Sequence, residues 1–253
     1  MNMWCNLEGP FTALVIGARG GIGNAFVECL LQSSAVDHIF ASSRDQVWVS
    51  QLSDSQKVTR IYTDVTDEES ILELTQKIKD SPSKLRFIVN CSGLLHTKEI
   101  QPERTWRHLD LHTMRQVFDV NTFGVALLIK HILPLIPREG KSLFATLSAR
   151  LGSITDNQVG GWYSYRASKA AQNMIVKTAA IEARRKWPHL ILIALHPGTV
   201  KTPLSDPFTP RLPSHHEVFS PQDSCDKLCK VMDNLTSTNT GHHFAWDGSV
   251  ILG

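Results

Sequence analysis

"TALVIGARGGIG", Thr12 to Gly23, joins an apolar run to a glycine-rich turn. The first half, "TALVIG" (12–17), is nearly continuously apolar, as expected of a parallel strand covered on both faces. The second half spaces Gly17, Gly21 and Gly23 as G-x-x-x-G-x-G, one residue wider than the common dinucleotide fingerprint, and runs into a helical pattern near 22–33. Glycine is needed where a turn is tight and where backbone must approach a pyrophosphate. The helix N-terminus that follows offers N–H groups and positive potential to an anion. A merely tight turn is the other reading. The place of this run, after the first strand and opening the first helix, is the context dinucleotide binding requires.

The same alternation continues to the end of the chain. Strands are expected at 12–17, 37–43, 60–65, 85–91, 142–148, 190–195 and 242–246, with helices near 22–33, 67–80, 112–136, 164–186 and 222–235. No Pro/Ser linker or low-complexity segment interrupts them. The expected fold is α/β: a single doubly wound, Rossmann-type domain over residues 1–253, with a seven-stranded, mostly parallel sheet and helices on both faces. The proline-rich stretch 197–221 is irregular, and such a loop in a compact domain serves as a lid or a binding loop.

Composition narrows the function classes. A formal net charge of +2 gives no argument for a polyanionic partner, so nucleic-acid binding is not expected. The densest basic run, Arg184-Arg185-Lys186, falls at a helix end, where cations suit the dipole. No apolar run approaches a membrane span, and the N-terminus lacks a signal-peptide pattern. The odd cysteine count (Cys5, Cys29, Cys91, Cys225, Cys229) fits a reducing compartment, and a cytoplasmic protein is expected. Cys225 and Cys229 are spaced to share a helix face. With no carboxylate or histidine ligand at suitable spacing they read as packing residues, and the pairs His215-His216 and His242-His243 point apart, so no metal is expected.

Strand ends carry the remaining polar signals. The second ends "FASSRD". An acidic residue there would hold a ribose 2′-hydroxyl, whereas a 2′-phosphate wants a cation. Ser43 and Arg44 occupy the place, Arg19 adds a second positive charge, and Arg matches phosphate oxygens with its fork. NADP(H) is therefore favoured, with NAD(H) the alternative should Asp45 supply the acid. Asp64, in "YTDVTD", is placed to accept from an adenine amino group or to cap the helix near Asp67. Asn90 and Gly93, in "NCSG", let the chain pass close beneath a cofactor. In "GGWYSYRASK" (160–169), Tyr165 and Lys169 lie four apart and share a helix face, while Tyr163 points elsewhere.

Six segments, "GARGGIG", "DVTD", "NCSG", "VNTFG", "YRASK" and "HPGTVKT", stand in the order and spacing of the short-chain dehydrogenase/reductase superfamily, which the chain resembles over essentially its whole length. "LGSITDN", "GGWYSYRASKAA" and "FAWDGS" further resemble its C-factor-like and Sniffer-like carbonyl reductase branch. The resemblance implies hydride transfer between nicotinamide and a carbonyl or alcohol carbon. Tyr165 would be the general acid in reduction and the base in oxidation, its pKa lowered from about 10 by Lys169 together with the positive charge of an oxidised nicotinamide, and Lys169 would also hold the nicotinamide ribose. Asn121 would keep a water in a proton relay, although capping or kinking a helix is its plainer role. The cofactor-binding set implied is Gly17, Arg19, Gly21, Ile22, Gly23, Ser43, Arg44, Asp64, Val65, Asn90, Ser92, Gly93, Tyr165, Lys169, Pro197, Gly198, Val200 and Thr202.

One position departs from the pattern. The family places a substrate-orienting serine three residues before a glycine after the fifth strand. In "TLSARLGSI" that position is Ala149, with Ser148 one residue early and Ser153 four late. Along an extended strand a shift of one flips the side chain. Ser148 is the first candidate, Ser153 the second, and no serine the third. The partner expected is a small or medium apolar carbonyl or alcohol. A homodimer or homotetramer is implied by relatives that pair through the helices around 112–136 and 164–186. The rival function is a C-factor-type NAD(P)(H)-binding signalling or sensor protein with little turnover.

Overall fold

Strand β1 (Phe11–Ile16) is buried throughout, and its side chains divide with a period of two. Phe11, Ala13 and Val15 enter one core, while Leu14 and Ile16 enter another. A strand covered on both faces needs that division. The computed structural model describes residues 6–253 except 8, 52–56, 82, 212, 214 and 215. Cys5 and His215 therefore lie outside the described residues.

After β1 come α1 (Gly21–Leu31), β2 (Val36–Ser43), α2 (Gln46–Gln51), β3 (Val58–Tyr62), α3 (Glu68–Lys79) and β4 (Leu85–Asn90). The second half has α4 (Leu111–Phe118), α5 (Gly124–Ile132), β5 (Ser142–Leu147), α6 (Tyr163–Ala183) and β6 (Leu190–His196). It closes with β7 (Thr199–Val200), β8 (Val218–Phe219), α7 (Pro221–Asp233) and β9 (His243–Ala245). Seven strands form one sheet in the order β3-β2-β1-β4-β5-β6-β9, and each neighbouring pair is parallel. The chain steps outward from β1 through β3, then restarts on the other side of β1 at β4. That reversal opens a crevice at the carboxyl ends of β1 and β4, the place where such sheets bind ligands. Residues of α1 and α7 fill the core on one face, and residues of α3, α5 and α6 fill the other.

Helix α2 and the paired strands β7 and β8 are not expected from the sequence, and three further local features differ from that expectation. The third strand stops at Tyr62, because Asp64 draws Thr66 into a turn by accepting its N–H at 2.9 Å and its hydroxyl at 2.8 Å. The helix expected over 112–136 is interrupted by a π-helical turn, Asp119–Phe123, which contains Asn121. The joined helical run Leu111–Leu135 is also long and apolar enough to cross a bilayer, contrary to expectation. Half of its apolar window is buried inside the domain, as for a core helix.

Candidate active site

The crevice is a cleft of ≈ 890 Å³ floored by the turn after β1. Gly17 has φ +75°, and a Cβ there would stand 3.0 Å from the backbone of Cys91 and Ser92. At Gly23 a Cβ would come within 2.3 Å of the Gly17 carbonyl oxygen, so only glycine lets α1 begin this close to the turn. No side chain caps the start of α1. Its first amides and its dipole are left to an anion in the cleft. Gly17, Arg19, Gly21, Ile22, Gly23, Ser43, Arg44, Asp64, Val65, Ser92, Gly93, Tyr165, Lys169, Pro197 and Thr202 all line this one cleft.

Asn90, Gly198, Val200 and Asn121, also singled out from the sequence, shape its walls from behind. Asn90 is fully buried, donates to Thr146 Oγ1 at 3.1 Å and accepts from the N–H and hydroxyl of Ser92. Gly198 turns with φ +79° where any Cβ would strike the Phe219 ring at 2.6 Å. Val200 is buried. Asn121 accepts from Leu94 N–H at 2.7 Å and donates to the Leu94 carbonyl and to Ser168 Oγ. Its side chain thus pins the loop after β4 to α6.

At the adenosine end, Asp45 is already engaged. Its carboxylate accepts from Trp48 N–H at 3.0 Å, opening α2, and pairs with Arg19 at 3.0 Å. Arg44 is exposed at the rim, and Ser43 Oγ accepts from Asp45 N–H.

Tyr165 and Lys169 sit in the first turns of α6, which begins from an unusual entry. Gly160, Gly161 and Trp162 are three consecutive residues with positive φ, at +70°, +68° and +54°. Glu103, buried at 3% exposure, holds this entry: its carboxylate accepts from the N–H and hydroxyl of Ser164, and its carbonyl accepts from Trp162 N–H. Lys169 donates from Nζ to the Leu147 carbonyl at 2.9 Å and to Gln172 Oε1 at 2.8 Å. Gln172 is fully buried and donates in turn to Thr146 Oγ1 and the Leu147 carbonyl. Gly152 permits this approach, since a Cβ there would lie 2.8 Å from Lys169 Cβ.

Burial dominates both ionisations. It pushes the Tyr165 hydroxyl up to about 12 and the Lys169 ammonium down to about 7. The ammonium lies 5.9 Å from the Tyr165 ring centre. Desolvation of the phenolate sets the upward shift, so Tyr165 is a proton holder across neutral pH.

The serine question has a geometric answer. Although β5 ends at Leu147, Ser148 N–H still bonds to Leu195 O, and Ala149 remains extended. Ser148 donates its hydroxyl to Asn173 Oδ1 at 2.7 Å, whereas Ala149 packs with Tyr165 and Leu95. Ser148 borders the cleft with Tyr165, and its hydroxyl proton is engaged by Asn173. Ser153 donates to the Leu252 carbonyl at 2.5 Å and accepts from Asp156 N–H. The methyl of Ala149 stands where a hydroxyl was sought.

An aromatic cluster packs against Tyr165. Trp162 meets Tyr165 edge-on at 6.2 Å and Phe208 at 4.8 Å, and Phe208 meets His96 at 5.5 Å. His96 Nε2 contacts the Pro203 carbonyl at 3.1 Å, tying the loop after β4 to the stretch after β7. Sequence reasoning missed Glu103 and Gln172. Gln172 was accessible to it, lying three residues past Lys169 on the same helix face. Glu103 was not, because only the folded loop brings it to α6.

The family model for short chain dehydrogenases matches residues 11–212. A 1-hydroxy-2-glutathionyl-2-methyl-3-butene dehydrogenase of Rhodococcus sp. (strain AD45) is 30% identical over 240 residues, covering 95% of this chain and 98% of that one. The NADPH-bound carbonyl reductase from chicken fatty liver superposes with a TM-score of 0.80 at 27% identity, covering 98% of this chain and 96% of that chain. Carbonyl reductase Sniffer of D. melanogaster also gives 0.80, at 20% identity over 97% of this chain and 100% of its own, and shows the shared fold.

Proposed function

The chain belongs to the short-chain dehydrogenase/reductase family, oxidoreductases of carbonyl and alcohol groups, and from that premise we propose that it is a cytoplasmic, NADP(H)-dependent carbonyl reductase. The observation that carries the reading is the meeting, in one cleft, of an uncapped glycine cradle with the buried pair Tyr165 and Lys169. Residues 1–253 are read as one domain, with 197–221 closing over the site. Bound cofactor supplies the hydride.

The protein's own residues bind, orient and move one proton. The glycine cradle and the start of α1 fit a pyrophosphate, since a Cβ at Gly17 or Gly23 would fill the space beside the turn. Arg44 and Arg19 serve a 2′-phosphate. The engagement of Asp45 with Trp48 and Arg19 supports this, because it leaves that carboxylate badly placed for a ribose hydroxyl. Lys169 and the loop 197–202 hold the nicotinamide half. Tyr165 keeps its proton until the carbonyl oxygen gains charge and then gives it up as general acid. Asn121 keeps a water in a proton relay to Lys169. The substrate is an apolar, preferably aromatic carbonyl, matched to Trp162, Phe208, Leu95 and Leu151.

The deciding experiment is NADPH oxidation across a panel of aryl and alkyl carbonyls, wild type against Tyr165→Phe. A loss of at least about a hundredfold is expected from removing a general acid. Equal rates would reject the mechanism.

A further inference from the structure

Where α1 packs on α7, three thiols converge. Cys29 comes from α1, and Cys225 and Cys229 lie one turn apart on α7. Their sulfur atoms all lie within 4.8 Å of one another. From these observations we propose that Cys29, Cys225 and Cys229 form a binding site for a thiophilic divalent cation, Zn(II) by preference, that staples α1 to α7.

The geometry is close to what an ion demands. Sulfurs bound at about 2.3 Å around a tetrahedral zinc are separated by about 3.8 Å, so closing the site takes a sulfur movement of about an ångström. Four of the chain's cysteines are described and none of them is in a disulfide. Cys225 is fully buried, while Cys29 and Cys229 are half-buried and give an ion a way in from solvent. Thiolate donors select soft and borderline ions over magnesium or calcium. Charge then chooses among them: three thiolates around a divalent ion leave −1, whereas around Cu(I) they leave −2 in an apolar core. Water entering from the half-exposed side completes four-coordination. Binding releases the thiol protons to solvent, so affinity rises with pH.

The place of the site gives it a consequence. The same two helices meet again at their starts, where a Cβ on Gly21 would stand 3.1 Å from Pro221 Cγ. An ion would fix α1 along its length, and with it the cradle at its N-terminus.

The test uses the full chain, reduced and stripped with a chelator, in a Cys5→Ser background. Cd(II) titration should produce an ultraviolet sulfur-to-metal charge-transfer band that saturates at one equivalent per chain. Zn(II) at about a hundredfold over its Kd should raise Tm by about 5–10 °C. Both responses should vanish in Cys29→Ala and in Cys229→Ala, half-buried positions whose folding is verified by their metal-free Tm. A wild-type titration without the band, or a band that persists in both variants, overturns the proposal. Cu(I) withheld from a competing chelator more strongly than Zn(II) would overturn the choice of ion.

Discussion

Ala149 packs directly against Tyr165, in a buried cluster that also holds Leu95. A hydrogen-bond donor aimed at a developing oxyanion is worth about 10²–10³ in rate at acyl-transfer sites, and at this position the chain has only a methyl group. Ala149→Ser is therefore expected to raise kcat for carbonyl reduction about tenfold or more. Ser148→Ala should change it by less than about threefold, since that hydroxyl is committed to Asn173. A large loss in Ser148→Ala with no gain in Ala149→Ser would return the orienting role to Ser148.

The pH profile follows from two opposed shifts. Burial holds the Tyr165 proton to about 12 and releases that of Lys169 near 7. Reduction needs the phenol protonated and is aided by the ammonium, so the first group lost as pH rises is Lys169. The rate of reduction, measured as kcat/KM, should fall as pH passes through about 7. Gln172→Leu removes an acceptor that favours the charged ammonium and should move this fall to lower pH. A profile flat to pH 10 in both proteins would contradict the assignment.

Cofactor choice is expected to depend on Arg44. Hydrogen bonds to charged groups are worth about 1.5–3 kcal/mol, so Arg44→Ala should weaken NADPH by roughly ten- to a hundredfold and NADH by little. Binding of each cofactor followed by fluorescence or calorimetry checks this. Equal losses would mean that Arg44 does not meet the 2′-phosphate.

Glu103 is a structural support for the tyrosine. It caps the start of α6 from a distant loop, and losing such a cap costs about 0.5–2 kcal/mol. Glu103→Ala should lower Tm by about 2–8 °C on the usual scale for a chain of this size. It should also reduce kcat more than it raises KM for cofactor, because Tyr165 lies three residues from Trp162 and one from Ser164. Glu103→Gln retains an acceptor and should recover most of the stability.

The fold was legible because its signals are repeated and local. Each strand is a short apolar run, each long helix a periodic one, and the π-helical interruption at Asn121 coincides with residues that suit a helix interior poorly. The cleft was legible for the same reason: Gly17, Gly23, Tyr165 and Lys169 take their places from their own strand or helix. What stayed hidden depends on contacts between distant segments. Glu103 reaches Ser164 across 61 positions, and Cys29 meets Cys225 only because α1 and α7 share a face of the sheet. Spacing also reports the charge of Lys169 beside Tyr165 but not the loss of water that burial imposes on both groups.

The entry to α6 has one further consequence, which concerns handedness. Gly160 keeps φ at +70°, and nothing lies within 4 Å of the place where its Cβ would stand. L-alanine is opposed there by backbone conformation alone, and the mirror-image residue is favoured by that same conformation. A chain assembled by chemical ligation with D-alanine at 160 should gain about 0.4–1 kcal/mol by restricting the unfolded state. The L-alanine chain should lose stability, and the two diastereomers together would measure how much of the helix start is chirality and how much is packing.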